Sequence, residues 1–295
     1  MKKTLCFLMS AALLGACNVE PADSDCNAES ELSTIYASLE YEPEVKNVID
    51  NATFKTTWLS GDAINVFFGA SESSRFVTSE SGEVVRFKGS IDVITGGGEG
   101  LTDETSLWGI YPYDPGNICD GQYVTLTLSC DQAAAENTFA PGLFPQVARS
   151  RNFYMTFYNL CACIRFTVAN TDIRSVKLSG NDGEPIAGKV KVSMEGAPAV
   201  VDVLSPETEL VMHAPEGECF VPGVNYYFVL YPTTFSNGLK MTYYKEGSYA
   251  SYTYAKPYTL ERNKVSRFTD RDDGLIFKSI PLNDWENGGN INGEI

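Results

Sequence analysis

The chain has 295 residues, with 22 Lys and Arg against 38 Asp and Glu, a single His and a formal net charge of −16. So acidic a surface repels phosphate backbones, which demand clustered Lys and Arg, and nucleic acid is excluded as a partner. One histidine leaves no material for a multi-histidine metal site, and a Ser-His-Asp triad would have to be built around His213.

Met1-Lys2-Lys3 followed by an apolar run from Leu5 to Leu14 has the charged and hydrophobic regions of a secretory signal. It closes on Leu14-Gly15-Ala16-Cys17, a pattern that resembles a bacterial lipobox. The expectation is a signal peptide over residues 1–16 and acylation of Cys17, which holds the mature chain to a membrane by lipid alone. No later stretch approaches the ~20 apolar residues of a spanning helix. Cleavage removes two basic residues and no acid, which deepens the net charge from −16 to −18. Residues 17–31, with Glu20, Asp23, Asp25, Glu29 and Glu31 among Asn, Ser, Pro and Ala, read as an acidic tether.

From residue 32 the dominant period is two. Ile35, Ala37, Leu39 and Tyr41 alternate with polar neighbours, as do Val124, Leu126 and Leu128, and Val224, Tyr226, Phe228 and Leu230 recur later at the same spacing. Turn signals separate these strands: Ser60-Gly61-Asp62, Asp114-Pro115-Gly116, Asn181-Asp182-Gly183, Ser236-Asn237-Gly238 and Glu246-Gly247-Ser248. Asp131–Asn137, with three consecutive alanines, is the one segment expected to form a short helical turn. The pattern predicts an all-β chain of two antiparallel β-sandwich domains in tandem, residues 32–150 and 151–295. The division is placed at Arg149-Ser150-Arg151, where the apolar run Phe153–Val168 is expected to begin a new sheet.

Chemistry-bearing motifs are few. His213 lies beside strand-like sequence and reads as structural. Asp270-Arg271-Asp272-Asp273-Gly274 starts like a calcium loop, but Pro281 stands where the bidentate glutamate belongs, so it reads as a charged turn. Gly96–Gly100 lacks the strand-to-helix context of a phosphate loop, and Glu42 and Glu44 are a carboxylate pair of the kind any acidic surface supplies. The expected role is non-enzymatic, with no cofactor and no metal. Cys26, Cys119, Cys130, Cys161, Cys163 and Cys219 admit two readings: a disulfide between Cys119 and Cys130, or free buried thiols throughout. Nine of the sixteen tyrosines follow residue 220, and Tyr243-Tyr244 and Tyr249–Tyr254 flank a hairpin turn. Tyr243, Tyr249, Tyr252 and Tyr254 are candidate ligand-facing rings, against ordinary cross-strand packing.

Trp58-Leu59-Ser60-Gly61-Asp62-Ala63-Ile64, Gly109-Ile110-Tyr111-Pro112, Leu126-Thr127-Leu128 with Gln132, and Phe157-Tyr158-Asn159-Leu160 running into Ile164-Arg165-Phe166 form an ordered series. It continues through Arg174–Leu178 with Gly180, Phe228-Val229-Leu230-Tyr231-Pro232, Glu261-Arg262-Asn263-Lys264, and Trp285 with Gly288. Together with the lipobox, this series resembles the fimbrillin family of Bacteroidetes, the lipoprotein subunits of type V pili, over nearly the whole mature chain. The resemblance implies transthyretin-like sandwiches and a structural subunit of a surface pilus, as stalk, anchor or tip, with a role in adhesion. It implies transport as a lipid-anchored precursor to the outer membrane and cell surface. It also implies proteolytic removal of the first strand, here about Leu32–Tyr41, and head-to-tail filling of the groove by a strand of the next subunit.

The donor strand would lie at about Leu275–Trp285, with Leu275, Phe277, Ile280, Leu282 and Trp285 as its apolar residues. The family's arginine-specific cut has no site here, because no arginine occurs between Cys17 and Arg75; Lys46 is the basic residue in the right connection and the candidate processing site. Expected partners are other pilus subunits and a host protein or glycan, with the membrane reached only through the lipid anchor. A surface lipoprotein that binds glycans without polymerising is the alternative.

Overall fold

A computed structural model describes residues 32–40, 57–91 and 106–280. Cys17, Cys26, the tether, Glu42, Glu44, Lys46, Gly96–Gly100, Leu282 and Trp285 lie outside the described residues.

The described chain is all β. Its first half carries β1 (Ser33–Leu39), β2 (Ala63–Phe68), β3 (Ser74–Thr78), β4 (Val84–Gly89) and β5 (Leu107–Tyr111). Three short strands follow, β6 (Ile118–Cys119), β7 (Val124–Leu128) and β8 (Asp131–Ala133), then β9 (Gln146–Ser150) and β10 (Tyr154–Asn159). Beyond them lie β11 (Ala162–Phe166), β12 (Ser175–Gly180), β13 (Ala187–Glu195), β14 (Ala197–Glu207), β15 (Glu209–His213) and β16 (Tyr226–Leu230). The last six are β17 (Thr233–Phe235), β18 (Leu239–Lys245), β19 (Ser248–Tyr254), β20 (Tyr258–Leu260), β21 (Val265–Phe268) and β22 (Lys278–Ser279).

Seven strands close a barrel in the order β1-β10-β9-β5-β2-β3-β4. Strict alternation builds it: in β4, Val85 and Phe87 point inward while Val84, Arg86 and Lys88 face water. The interior is filled by Ile35, Ile64, Val66, Phe76, Phe87, Met155 and Phe157 around Trp58. The indole of Trp58 meets the rings of Phe87, Tyr111 and Phe157 edge-on at 5.0, 5.2 and 5.2 Å, the geometry the aromatic quadrupole prefers.

A second core gathers Leu126, Val168, Val176, Leu178, Val190, Leu210, Phe228 and Tyr243. Around it stand a six-stranded sheet β22-β19-β18-β12-β15-β8, a four-stranded sheet β14-β13-β7-β6 and a three-stranded sheet β16-β11-β21. Tyr231 ties its inner ladder together, since its hydroxyl accepts from the Leu128 amide (3.1 Å) and donates to the Gly188 carbonyl (3.0 Å), residues that are register partners. One wall of the barrel is buried on both faces. In β5, Leu107 turns to the barrel core while Trp108 and Ile110 join the second core, and Val147 and Ala148 of β9 divide in the same way.

Two sequence expectations meet different geometry. Asp131–Asn137 is not helical. It begins with β8, parallel to β15, and its Gln132 is buried with its amide pairing both backbone groups of Val229, accepting at 3.0 Å and donating at 2.7 Å. Two tertiary hydrogen bonds in a dry interior outweigh the modest helical preference of three alanines. The apolar run after Arg151 does not start a new sheet at residue 153. β9 and β10 are antiparallel neighbours within the barrel, and the chain changes sheets at Leu160–Cys161, between β10 and β11. Conversely β6, β7 and β8, all before residue 150, belong to sheets of the second core.

Candidate functional site

The expected exchangeable strand is β1, and the site is the slot it occupies. β1 pairs antiparallel with β4 over six residues, Ser33↔Gly89 to Ser38↔Val84, and parallel with β10 over four, Tyr36↔Tyr154 to Leu39↔Phe157. Ile35 and Ala37 point into the barrel and are fully buried. Burial of a side chain the size of Ile35 contributes about 1.5–3 kcal/mol. On the outer face the rings of Tyr36 and Tyr154 stack at 4.9 Å, and the hydroxyls of Ser38 and Thr156 lie 3.1 Å apart.

Both neighbours of β1 are distant in sequence, and neither is joined to it by a hairpin. A barrel has no free edge, so loss of β1 leaves two, one on β4 and one on β10, with apolar slots over Phe87 and Phe157. The end of β1 is clamped. Arg262 donates to both carboxylate oxygens of Glu40, at 2.6 and 2.7 Å, and to the Asn159 carbonyl at 2.8 Å, while the Asn159 amide donates to Glu40 at 3.2 Å. The pair is largely buried, 7% exposed at Glu40 and 20% at Arg262. Asn263 beside it accepts from Asn159 Nδ2 at 2.7 Å, so the loop before β21 is tied to the junction between β10 and β11.

The C-terminal segment lies along a sheet edge. β22 adds antiparallel to β19, with Ser279 opposite Ser248 and Lys278 opposite Tyr249, and the Ile280 amide donates to the Gly247 carbonyl at 3.0 Å. Leu275 and Phe277 are half-buried against the second core, the ammonium of Lys245 lies 4.0 Å from the Phe277 ring centre, and Ile276 is exposed. Of the expected donor residues, Leu275, Phe277 and Ile280 are thus packed at an edge of their own subunit.

The tyrosine hairpin forms as β18–β19, with Gly247 at φ 66° in its turn, a backbone region glycine adopts without penalty. Its rings do not share one environment. Tyr243 shares a face with Leu239 and Met241 and is fully buried, so it cannot face a ligand. Tyr252 and Tyr254, opposite Met241 and Leu239, are half-buried on that same face, Tyr252 beneath the guanidinium of Arg271 at 5.2 Å and Tyr254 edge-on to Tyr258 and Phe268. Tyr249 lies on the opposite face, opposite Tyr244, with ring centres 6.2 Å apart.

The remaining motifs serve the scaffold. Asp272 of the charged turn is fully buried, and its carboxylate accepts from the Ala169 and Asn170 amides at 2.8 and 2.9 Å and from Asn170 Nδ2 at 2.8 Å. His213 ends β15, between Ser175 of β12 and Ala133 of β8. Cys119, Cys130, Cys161, Cys163 and Cys219 are free thiols. Burial pushes the Cys119 thiol up to about 11 and raises Cys161 and Cys163 as well.

No family model matches the chain, and no curated protein does. Among solved structures, it is similar to a candidate cell adhesion protein of Bacteroides ovatus ATCC 8483, at 16% identity and a TM-score of 0.48 over 84% of this chain and 95% of that one. A second, from Bacteroides uniformis ATCC 8492, shares 14% identity at a TM-score of 0.48 over 85% and 97%. The tip fimbrial protein Mfa3 of Porphyromonas gingivalis shares 10% identity at a TM-score of 0.38 over 84% and 99%. The structural neighbours are Bacteroidetes fimbrial and cell adhesion proteins.

Sequence reasoning placed β1 and missed its clamp. Glu40 and Arg262 are 222 positions apart, and nothing local to either marks the other.

Proposed function

We propose that the chain is a non-enzymatic structural subunit of a cell-surface fimbria, built of two transthyretin-like β-sandwich domains and assembled by β-strand addition. The carrying observation is the position of β1: a first strand whose two ladders reach only distant segments, so that a strand from another chain could take up the same two ladders. An incoming strand that replaced it would satisfy the freed backbone groups of β4 and β10 and refill the slots of Ile35 and Ala37. The C-terminal residues from Leu275 onward are the proposed donor, and their own-subunit position against β19 is the resting state they leave. Lipid attachment at Cys17 delivers the subunit to the outer membrane, and cleavage after Lys46 releases β1. On this proposal the two domains follow the two cores, with β10 counted to the barrel and β6–β8 to the second core.

The test is the intact mass and N-terminal sequence of the protein extracted from cell envelopes and from sheared surface filaments. Filament material that starts at Asn47 supports strand exchange after trimming. Filament-free material that starts only at acylated Cys17 supports the second reading, an untrimmed surface lipoprotein.

A further inference from the structure

Resting on the reading of the segment from Leu275 onward as the donor, we infer that Lys245 is the latch that keeps this segment on its own subunit and Gly274 the hinge about which it swings free. The chain is held differently on the two sides of Gly274. Before it, Phe268 is buried with its ring edge-on to Tyr254 and Tyr258. Thr167 Oγ1 donates to Asp270 Oδ1 at 2.5 Å and accepts from the Asp270 amide at 3.0 Å. The fully buried Asp272 carboxylate takes its three hydrogen bonds from Ala169 and Asn170. Beyond Gly274, Leu275 and Phe277 are half-buried, and Ile276, Lys278 and Ser279 face water. Among the described residues the ladder between β22 and β19 has two register pairs, with one further hydrogen bond from the Ile280 amide to the Gly247 carbonyl. A segment with so few buried contacts opens locally while the body around it stays folded. Gly274 stands at the change, with φ 68° and nothing within 4 Å of where a Cβ would lie, so backbone conformation rather than crowding calls for glycine there.

Lys245 ends β18, and its side chain is 18% exposed. Its ammonium lies 4.0 Å from the Phe277 ring centre, 2.9 Å from Asp172 Oδ1 and 3.2 Å from Asn170 Oδ1. Asn170 is fixed in turn, because its Nδ2 donates to the Asp272 carboxylate at 2.8 Å and to the Asp272 carbonyl at 3.2 Å. The contacts therefore run from Asp272 through Asn170 and Lys245 to Phe277 and close a loop across the hinge. The anchor presents the cation, and the cation holds the strap. An ammonium largely withdrawn from water is attracted to an aromatic face more strongly than an exposed one, so this contact outweighs a surface pair of the same geometry. Departure of Phe277 breaks the ring contact and leaves the hydrogen bonds of Asp272 and the Lys245–Asp172 ion pair in place. Opening at Gly274 is thus a local event whose frequency Lys245 sets, and it fixes how often the donor is offered to another subunit.

The experiment is native-state hydrogen exchange on the full mature chain as isolated subunits, so it decides the latch whatever fills the slot of β1 in a filament. The Ile280 amide reports the strap, and the Ala169 amide, which donates to Asp272, reports the anchor. Lys245→Met keeps an apolar stem and removes the cation; Ile280 should exchange roughly fivefold faster or more, with Ala169 unchanged. Lys245→Arg, which keeps a cation over the ring, should retain most of the protection. Phe277→Leu loosens the strap from its other side and lies beyond the hinge, so it serves where a change at Lys245 disturbs the β18–β19 hairpin. It should also speed Ile280 while sparing Ala169, and the double variant should add little to either single one. Unchanged exchange at Ile280 in both single variants overturns the latch, as do strictly additive effects in the double variant. Equal acceleration at Ile280 and Ala169 means that strap and anchor open as one body, and overturns the hinge.

Discussion

Replacing Arg262 by Met tests whether the end of β1 is held by the clamp described above. The substitution keeps an apolar stem of similar reach and removes the guanidinium that makes two hydrogen bonds to Glu40 and one to the Asn159 carbonyl. Removing one partner of a buried pair costs about 3–5 kcal/mol, because the other charge stays behind in a poor solvent. Arg262 is a fifth exposed, so water screens part of this, and about 2–4 kcal/mol is the expected loss. The double variant Glu40→Gln, Arg262→Met strands no charge and should recover about half of it. The assay is native-state hydrogen exchange at the Tyr36 and Glu40 amides, which donate to the Phe153 and Phe157 carbonyls and report the opening of β1 directly. A loss below about 1 kcal/mol in Arg262→Met, or strictly additive single effects, refutes the reasoning and reduces the clamp to a solvated surface pair.

Asp272→Ala strands the Ala169 and Asn170 amides and should cost about 2–4 kcal/mol, read as a lower midpoint in thermal unfolding; Asp272→Asn, which keeps an acceptor, should cost less. Alkylation of the native chain at pH 8 followed by peptide mapping should modify Cys130 and Cys219 and spare Cys161 and Cys163, with Cys119 slow. A thiol raised to about 11 presents little thiolate three units below that value. Gly109→Ala would set a methyl 2.6 Å from Cζ of Phe157, so it should lower barrel stability by about 1–3 kcal/mol in urea unfolding, with partial rescue by Phe157→Leu.

Much of the fold was legible because it is written in a period of two. β4 and β7 each bury every second residue, and the five turns read from sequence fall at junctions between strands, with Ser248 of the last already opening β19. The signal fails where a strand is covered on both sides. All five residues of β16 are buried, so Phe228 and Leu230 carry no more information than Tyr227 and Val229. It fails again at β8, where Gln132 satisfies a backbone 97 positions away. The sheet change at Leu160–Cys161 leaves no composition shift, since both flanking strands are apolar. Of the candidate sites, the first strand was legible as an alternating run. The clamp at Glu40 was not, because it joins Glu40 to Arg262, 222 positions away, with no local pattern relating the two.

The central claim is that the slot of β1 accepts a strand from another subunit. A photoreactive residue in place of Val84 tests it most directly, because Val84 is 66% exposed and lies directly opposite Ser38 of β1. Irradiation of surface filaments, followed by peptide mass spectrometry of the cross-linked products, identifies what fills the slot. Strand addition predicts a cross-link to the C-terminal segment from Leu275 onward of a second copy. Cross-links confined to residues 33–39 of the same chain, in filament material, would contradict it.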